Sequence, residues 1–126
     1  MAKINFRQHA LEELSLSDLM KERDKLETEQ LIQLHPDKVT IEDFDIFTLS
    51  KNGKEELVSC FTIKEEPKYF CFGGKIIKEL FESFIKAYDG DIDECRKDFK
   101  MSGGITVKFE LGKTKDGKNI TNVKVI

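Results

Sequence analysis

The sequence predicts an α+β fold, with a five-stranded antiparallel barrel or sheet, one helix between its third and fourth strands, and helices before the first strand. Three observations predict it. Hydrophobic residues alternate with polar ones over much of residues 39–72 and again over 105–126. An apolar stripe with helical spacing lies between these regions, in residues 75–88. The chain has 126 residues, 39% of them hydrophobic, which is enough for one domain with its own core.

The first part of the chain, residues 1–38, is predicted to be an N-terminal arm followed by helices. Residues 1–10 have mixed character, whereas the pattern from Leu11 to Leu34 is helical, with Ser17 as a candidate N-cap. Pro36 ends this region, because the residue before a proline is pushed out of the helical conformation. The second part, residues 39–126, is then a β-rich body.

The body begins with three predicted strands. From Val39 to Leu49 the period is two, and the Asn-Gly pair at 52–53 predicts a tight hairpin because both residues tolerate positive φ. The return strand is predicted over residues 56–63. Residues 68–72 are nearly all apolar, which indicates a third strand in a central position.

A helix and a second hairpin complete the body. Residues 75–88 place apolar side chains three and four positions apart, and a shorter helical pattern follows over residues 92–99. The stretch 102–104, Ser-Gly-Gly, ends that pattern. Alternating residues over 105–111 and 120–126 then predict two strands, joined by a loop that contains Asp-Gly.

The order of these elements after residue 38 is strand, strand, strand, helix, strand, strand. It is the element order of the OB-fold, a small five-stranded barrel whose surface binds oligonucleotides or oligosaccharides. An open five-stranded antiparallel sheet with a helix on one face has the same order. The order alone therefore leaves a closed OB-like barrel and an open sheet as alternatives.

Five segments carry a resemblance to a group of phage proteins. They are 26–32 (Leu-Glu-Thr-Glu-Gln-Leu-Ile), 67–74 (Pro-Lys-Tyr-Phe-Cys-Phe-Gly-Gly), 88–91 (Tyr-Asp-Gly-Asp), 103–107 (Gly-Gly-Ile-Thr-Val) and 113–119 (Lys-Thr-Lys-Asp-Gly-Lys-Asn). In these segments the chain resembles small, poorly characterised proteins encoded in the early or replication regions of phages and prophages of Gram-positive bacteria. The resemblance implies phage DNA metabolism or phage–host conflict in the bacterial cytoplasm. It supplies no catalytic motif.

The charge of the chain is unevenly distributed. The formal net charge is −3, yet residues 1–45 hold six Lys and Arg against eleven Asp and Glu, and residues 96–126 hold eight against three. No apolar run approaches the roughly 20 residues that a membrane-spanning helix needs, and the N-terminus lacks the apolar core of a signal peptide. We therefore expect a cytoplasmic protein with an acidic N-terminal third and a basic C-terminal end.

The cysteines, acidic residues and glycines predict neither a metal site nor catalysis. Cys60, Cys71 and Cys95 lie among apolar residues and form no Cys-x-x-Cys pair, so we interpret them as buried structural thiols. The acidic segment 89–94 lacks the Gly and Glu that a calcium-binding loop requires. The segment 112–114, Gly-Lys-Thr, lies between two strands, whereas a P-loop joins a strand to a helix. We expect no cofactor, no metal and no enzymatic activity.

The leading functional interpretation is a phage-type accessory protein that binds single-stranded nucleic acid in DNA replication, without catalysis. OB-folds hold single strands with cationic grooves and aromatic stacking platforms. Ordinary solvated turns are also rich in lysine, so a plain surface loop is the alternative for the second hairpin. The candidate nucleic-acid-binding residues are Lys108, Lys113, Lys115, Lys118 and Lys124 of that hairpin, together with Lys68, Tyr69 and Phe47.

Aromatic residues occupy both faces of the first three predicted strands, although a closed barrel leaves its outer face polar. The N-terminal helices or a second subunit of a homo-oligomer could cover the second face, or bases could stack on it.

The alternative function is a protein–protein interaction module, either a phage inhibitor or a DNA-mimic-like protein. Its acidic N-terminal helices would dock on a basic phage or host protein. The carboxylates that would do so are Glu12, Glu13, Asp18, Glu22, Asp24, Glu27 and Glu29.

Overall fold

One mixed sheet organises the part of the chain that the structure, a computed structural model, describes: Phe6 and residues 17–126. Three α-helices accompany six strands there. The helices are α1 (Thr28–Leu34), α2 (Lys75–Ala87) and α3 (Ile92–Met101). The strands are β1 (Asp24–Lys25), β2 (Val39–Lys51), β3 (Lys54–Ile63), β4 (Tyr69–Gly73), β5 (Ile105–Lys113) and β6 (Asn119–Val125).

The fold is α+β, but the prediction of a five-stranded antiparallel OB-like barrel or sheet is wrong. The strand order is β1-β4-β3-β2-β5-β6, and the sheet forms an open half-barrel. β1 is a sixth strand and pairs parallel with β4, with Asp24 opposite Tyr69 and Lys25 opposite Phe70. The remaining pairs are antiparallel. Two helices, α2 and α3, connect β4 to β5; the residue pattern predicted both, although the fold prediction counted one helix at this place.

The N-terminal segment departs furthest from its prediction. Ser17 acts as an N-cap, as predicted, because its Oγ accepts a hydrogen bond of 3.2 Å from the backbone N–H of Leu19. The structure that it caps is a 3₁₀ turn, Asp18–Met20, which leads into β1. Pairing with β4 overrides the helical pattern, since the N–H of Leu26 donates to the carbonyl of Phe70 at 2.9 Å. The predictions for residues 1–16 lie outside the described residues, apart from Phe6, which is exposed and helical.

Both predicted hairpins are confirmed. Asn52 and Gly53 have φ values of 52° and 74°, the left-handed conformation that a tight turn between two strands requires. Lys113 at the end of β5 pairs with Asn119 at the start of β6. Local turn chemistry therefore determines both connections.

Helices α2 and α3 cover the inner face of the half-barrel. Phe44 of β2 is fully buried at its centre and stacks on Phe81 of α2 with the ring centroids 4.5 Å apart. Phe99 of α3 lies edge-on to the ring of Phe44, with the ring centroids 5.0 Å apart. Phe61 of β3 stacks on Phe109 of β5 at 5.7 Å. These aromatic contacts join the two helices to strands β2, β3 and β5 on the inner face of the sheet.

A smaller apolar cluster lies on the outer face. Leu19 and Met20 of the 3₁₀ turn pack with Cys60 of β3 and Phe70 of β4, and all four are buried. Phe47 and Phe72 lie partly buried at its margin. The aromatic residues of the second face thus have a cover, and in the described part of the chain a 3₁₀ turn provides it.

All three cysteines are buried, as predicted. Burial raises the pKa of Cys60 and of Cys71 to about 12, and it also raises the pKa of Cys95. Because only the thiolate reacts, we expect a disulfide reagent at mildly alkaline pH to leave the folded protein unmodified and to label all three thiols in denaturant. Absorbance of the released thiol measures this. Rapid labelling of the folded protein would contradict the burial.

Candidate functional sites

The hairpin β5–β6 carries the five lysines predicted to contact nucleic acid. Lys108 and Lys124 are directly opposite each other in the strand register. Glu110 lies between them, with a carboxylate oxygen 3.5 Å from the Nζ of Lys108 and 3.9 Å from that of Lys124. The two cations on the strands are therefore partly neutralised within the hairpin.

The other three lysines stand at the tip of the hairpin. Lys113, Lys115 and Lys118 are exposed, and among residues 17–126 none of them has a carboxylate within ion-pair distance. The loop itself is ordered by hydrogen bonds: the N–H of Thr114 donates to the carbonyl of Lys118 at 2.9 Å, and the N–H of Lys118 donates to Oγ1 of Thr114 at 3.2 Å. The tip is thus a structured loop with three unpaired positive charges.

The remaining candidates lie elsewhere. Phe47 is on the outer face, tilted against Phe72 at 6.5 Å, whereas Tyr69 packs against the inner core and the exposed Lys68 precedes β4. Three strands separate β4 from β6. β2 pairs with β5 at Val39, Thr40 and Ile41. Phe47 is seven residues beyond Thr40, a distance of about 23 Å along a strand. The structure therefore brings the five hairpin lysines together but separates them from the aromatic candidates.

A polar cluster around Arg96 was not predicted. Arg96, on α3, donates from Nε to Oδ1 of Asp43 at 3.2 Å and from Nη2 to Oδ2 of the same residue at 3.1 Å. Nη2 also donates to Oδ1 of Asp18 at 3.1 Å. On the far side, Ser17 donates to Oδ2 of Asp45 at 2.7 Å. The cluster fastens the 3₁₀ turn, β2 and α3 to one another.

The electrostatics of this cluster favour its charged form. Burial by itself would lower the pKa of Arg96, but the hydrogen bonds that it donates to Asp43 and Asp18 outweigh this effect and raise the pKa above its ordinary value. Burial would likewise raise the pKa of Asp18, but the hydrogen bond and charge of Arg96 hold it below its ordinary value. The one local signal in the sequence was the pair Asp43 and Asp45 on either side of Phe44, since Asp is uncommon inside strands.

Clefts open beside α3 and beside α2. One, of about 390 Å³, lies beside the 3₁₀ turn and α3 and is lined by Asp18, Asp93, Arg96, Lys97, Lys100 and Met101. The other, of about 650 Å³, lies between α2 and the β2–β3 hairpin, with an apolar floor that includes Ile46, Leu57 and Ile85. No group of His, Cys, Asp and Glu within the described ranges is arranged to hold a metal ion.

Comparison with known proteins identifies no relative: no family model, no curated protein and no solved structure matches this chain. Among the helices that the structure describes, none is long and apolar enough to cross a membrane.

Proposed function

We propose that this protein is a phage-type accessory protein that binds single-stranded nucleic acid in the bacterial cytoplasm, with the β5–β6 hairpin as its contact and without catalysis. The observation that carries the proposal is the tip of the hairpin, where Lys113, Lys115 and Lys118 are exposed and form no ion pair with a carboxylate of residues 17–126, although Asp116 belongs to the same loop. Contact with phosphates requires positive charges that solvent-exposed side chains can bring to the nucleic-acid backbone. The three lysines supply the charge, and the ordered loop presents them at the end of the hairpin.

The position of the aromatic candidates determines what kind of binding this is. Phe47 and Tyr69 are partly buried against different apolar clusters. Neither lies beside the lysine tip, so base stacking contributes little next to it, and phosphate contacts provide most of the affinity. We therefore expect binding that is insensitive to base sequence and falls steeply with salt.

Reversing two charges at the tip tests the proposal. With Lys113→Glu and Lys115→Glu combined, we expect the affinity for oligo-dT at low salt to fall by at least roughly tenfold, because two phosphate contacts become repulsions. Fluorescence anisotropy of a labelled oligo-dT at low and moderate salt measures it. The slope of affinity against salt should also become shallower, since fewer counterions are released.

A matched control separates the hairpin from the total charge. Lys54→Glu combined with Lys86→Glu changes the net charge by the same amount at two exposed lysines on other elements. We expect this control to lose no more than about threefold in affinity, through long-range electrostatics only. Equal losses in the two double variants, or no binding of the unmodified protein at low salt, would refute the proposal.

The second candidate function, an interaction module for a basic phage or host protein, has some support at the N-terminal side. Glu22 and Glu29 are exposed and make no ion pair with another described residue. Asp18 and Glu27, by contrast, already pair with Arg96 and with Lys25, at 3.1 and 3.2 Å. Under this alternative, a pull-down from host extract would recover a partner whether or not the hairpin charges are reversed.

A further inference from the structure

The cleft beside α3 brings three cationic side chains of one helix together. Arg96, Lys97 and Lys100 line it, facing the carboxylates of Asp18 and Asp93. Lys97 and Lys100 are exposed, whereas the side chain of Arg96 is only 16% exposed. A mostly buried guanidinium beside two exposed ammonium groups presents charged N–H donors of the kind that bind phosphate oxygens, and the Nζ of Lys100 also lies 3.7 Å from Oδ2 of Asp43.

The N–H donors of Arg96 are not all engaged in hydrogen bonds. Its Nη2 serves both Asp43 and Asp18, and its Nε serves Asp43. Its Nη1 has no acceptor within hydrogen-bond distance in the described part of the chain, because the nearest carboxylate oxygen, Oδ2 of Asp45, is 3.9 Å away. A guanidinium carries five N–H donors, so Arg96 retains capacity for a further anion.

The two strong partners of Arg96 differ in how firmly they are placed. The Asp43 side chain is 7% exposed and also accepts the backbone N–H of Phe44 at 2.8 Å. The Asp18 side chain is 62% exposed and lies on the short 3₁₀ turn. An anion that displaced the Asp43 carboxylate would leave its place in the interior unfilled. The Asp18 carboxylate, by contrast, can move into water at little cost.

We propose that this cleft binds the phosphate group of a small molecule and that Asp18 occupies it as an internal substitute. An incoming phosphate displaces the Asp18 carboxylate and takes the donors of Arg96 together with Lys97 and Lys100. Once Asp18 has left, Asp93 is the only acidic side chain lining the cleft among those described, while Asp43 keeps its bond to Arg96. Three cationic groups then stand against the two carboxylates of Asp93 and Asp43, so the site keeps a net positive charge that attracts an anion.

Displacement has a second consequence, because Asp18 begins the 3₁₀ turn that also contains Leu19 and Met20. These two residues cover Cys60 on the outer face of β3. When phosphate replaces Asp18, the 3₁₀ turn loses its link to α3, and the cover over Cys60 loosens. Cys71 and Cys95 belong to the inner core and stay protected.

The test measures phosphate binding without nucleic acid. Inorganic phosphate, a nucleoside monophosphate and the corresponding nucleoside are titrated by calorimetry at constant ionic strength, with sodium chloride as the reference salt. We expect binding of the first two and none of the nucleoside. Tighter binding of the nucleotide would identify a phosphomonoester as the ligand, and equal binding would identify free phosphate.

Three variants make the mechanism specific. Asp18→Asn should tighten phosphate binding by about fivefold, because it removes the competing charge at a part-exposed site. Lys100→Gln should weaken it by a similar factor, and Lys86→Gln, on α2 outside the cleft, should not change it. Saturating phosphate should also speed the labelling of Cys60 relative to Cys71. The proposal is overturned if phosphate does not bind, or if Asp18→Asn leaves binding unchanged or weakens it.

Discussion

The substitution Gly104→Ala is expected to lower the free energy of unfolding by roughly 3–5 kcal/mol. Gly104 lies between α3 and β5 with φ of +78°, a conformation that alanine adopts only with strain. A Cβ at this position would also overlap the carbonyl oxygen of Ile41 and lie 3.3 Å from the Cα of Glu42. Both obstacles are backbone atoms of β2, so a side-chain rotation cannot relieve the overlap.

The preceding glycine provides the matched control. Gly103 has φ of +89°, and a Cβ there would meet nothing within 4 Å. Gly103→Ala should therefore lose only the conformational part, about 1–2 kcal/mol. Urea unfolding of both variants, followed by circular dichroism, gives the comparison. Equal losses would mean that the close approach of Gly104 to β2 does not matter for stability.

Replacing Arg96 by methionine should cost about 3–5 kcal/mol, since the change leaves the carboxylate of Asp43 buried without its main partner. Asp43 would keep the N–H of Phe44, and the Nζ of Lys100 lies 3.7 Å away and is more exposed. Methionine fills a volume similar to that of the arginine stem, so lost packing contributes little. Urea unfolding again measures the effect.

Two further variants isolate the cause of this loss. Lys97→Met alters the exposed neighbour on the same helix and should change stability by less than about 0.5 kcal/mol. Adding Asp43→Asn to Arg96→Met removes the orphaned charge, so the double variant should be more stable than Arg96→Met alone. If the double variant is instead less stable by the sum of the single effects, the ion pair is not the origin of the loss.

Elements specified by neighbouring residues could be predicted from the sequence. The stripe in residues 75–88 predicted α2 to within one residue of its observed end at Ala87, because the apolar spacing of one helix face is contained within the segment. The turn at Asn52 and Gly53 was likewise predictable, since those residue types are among the few that tolerate its backbone conformation.

Features that depend on distant pairing could not be predicted. β1 has two residues, which is too short to show any alternation, and it exists because β4 supplies its hydrogen bonds. The partners of Arg96 in the candidate cleft lie 53 and 78 positions away in sequence. The lysine tip was predictable because its members are close in sequence. Its separation from Phe47 and Tyr69 depends on the strand order.

The irregular pairing of β2 also bears on how the length of this chain can change. Ile41 is opposite Ile63, and Asp43 is opposite Thr62, so Glu42 has no counterpart on β3. Deleting Glu42 would leave Ile41, Asp43 and Phe44 opposite three consecutive residues of β3, with Phe44 still facing the core. A one-residue deletion elsewhere in the paired part of β2 would turn its following side chains to the opposite face. In a related chain that is one residue shorter in β2, the missing residue should therefore be the one at position 42.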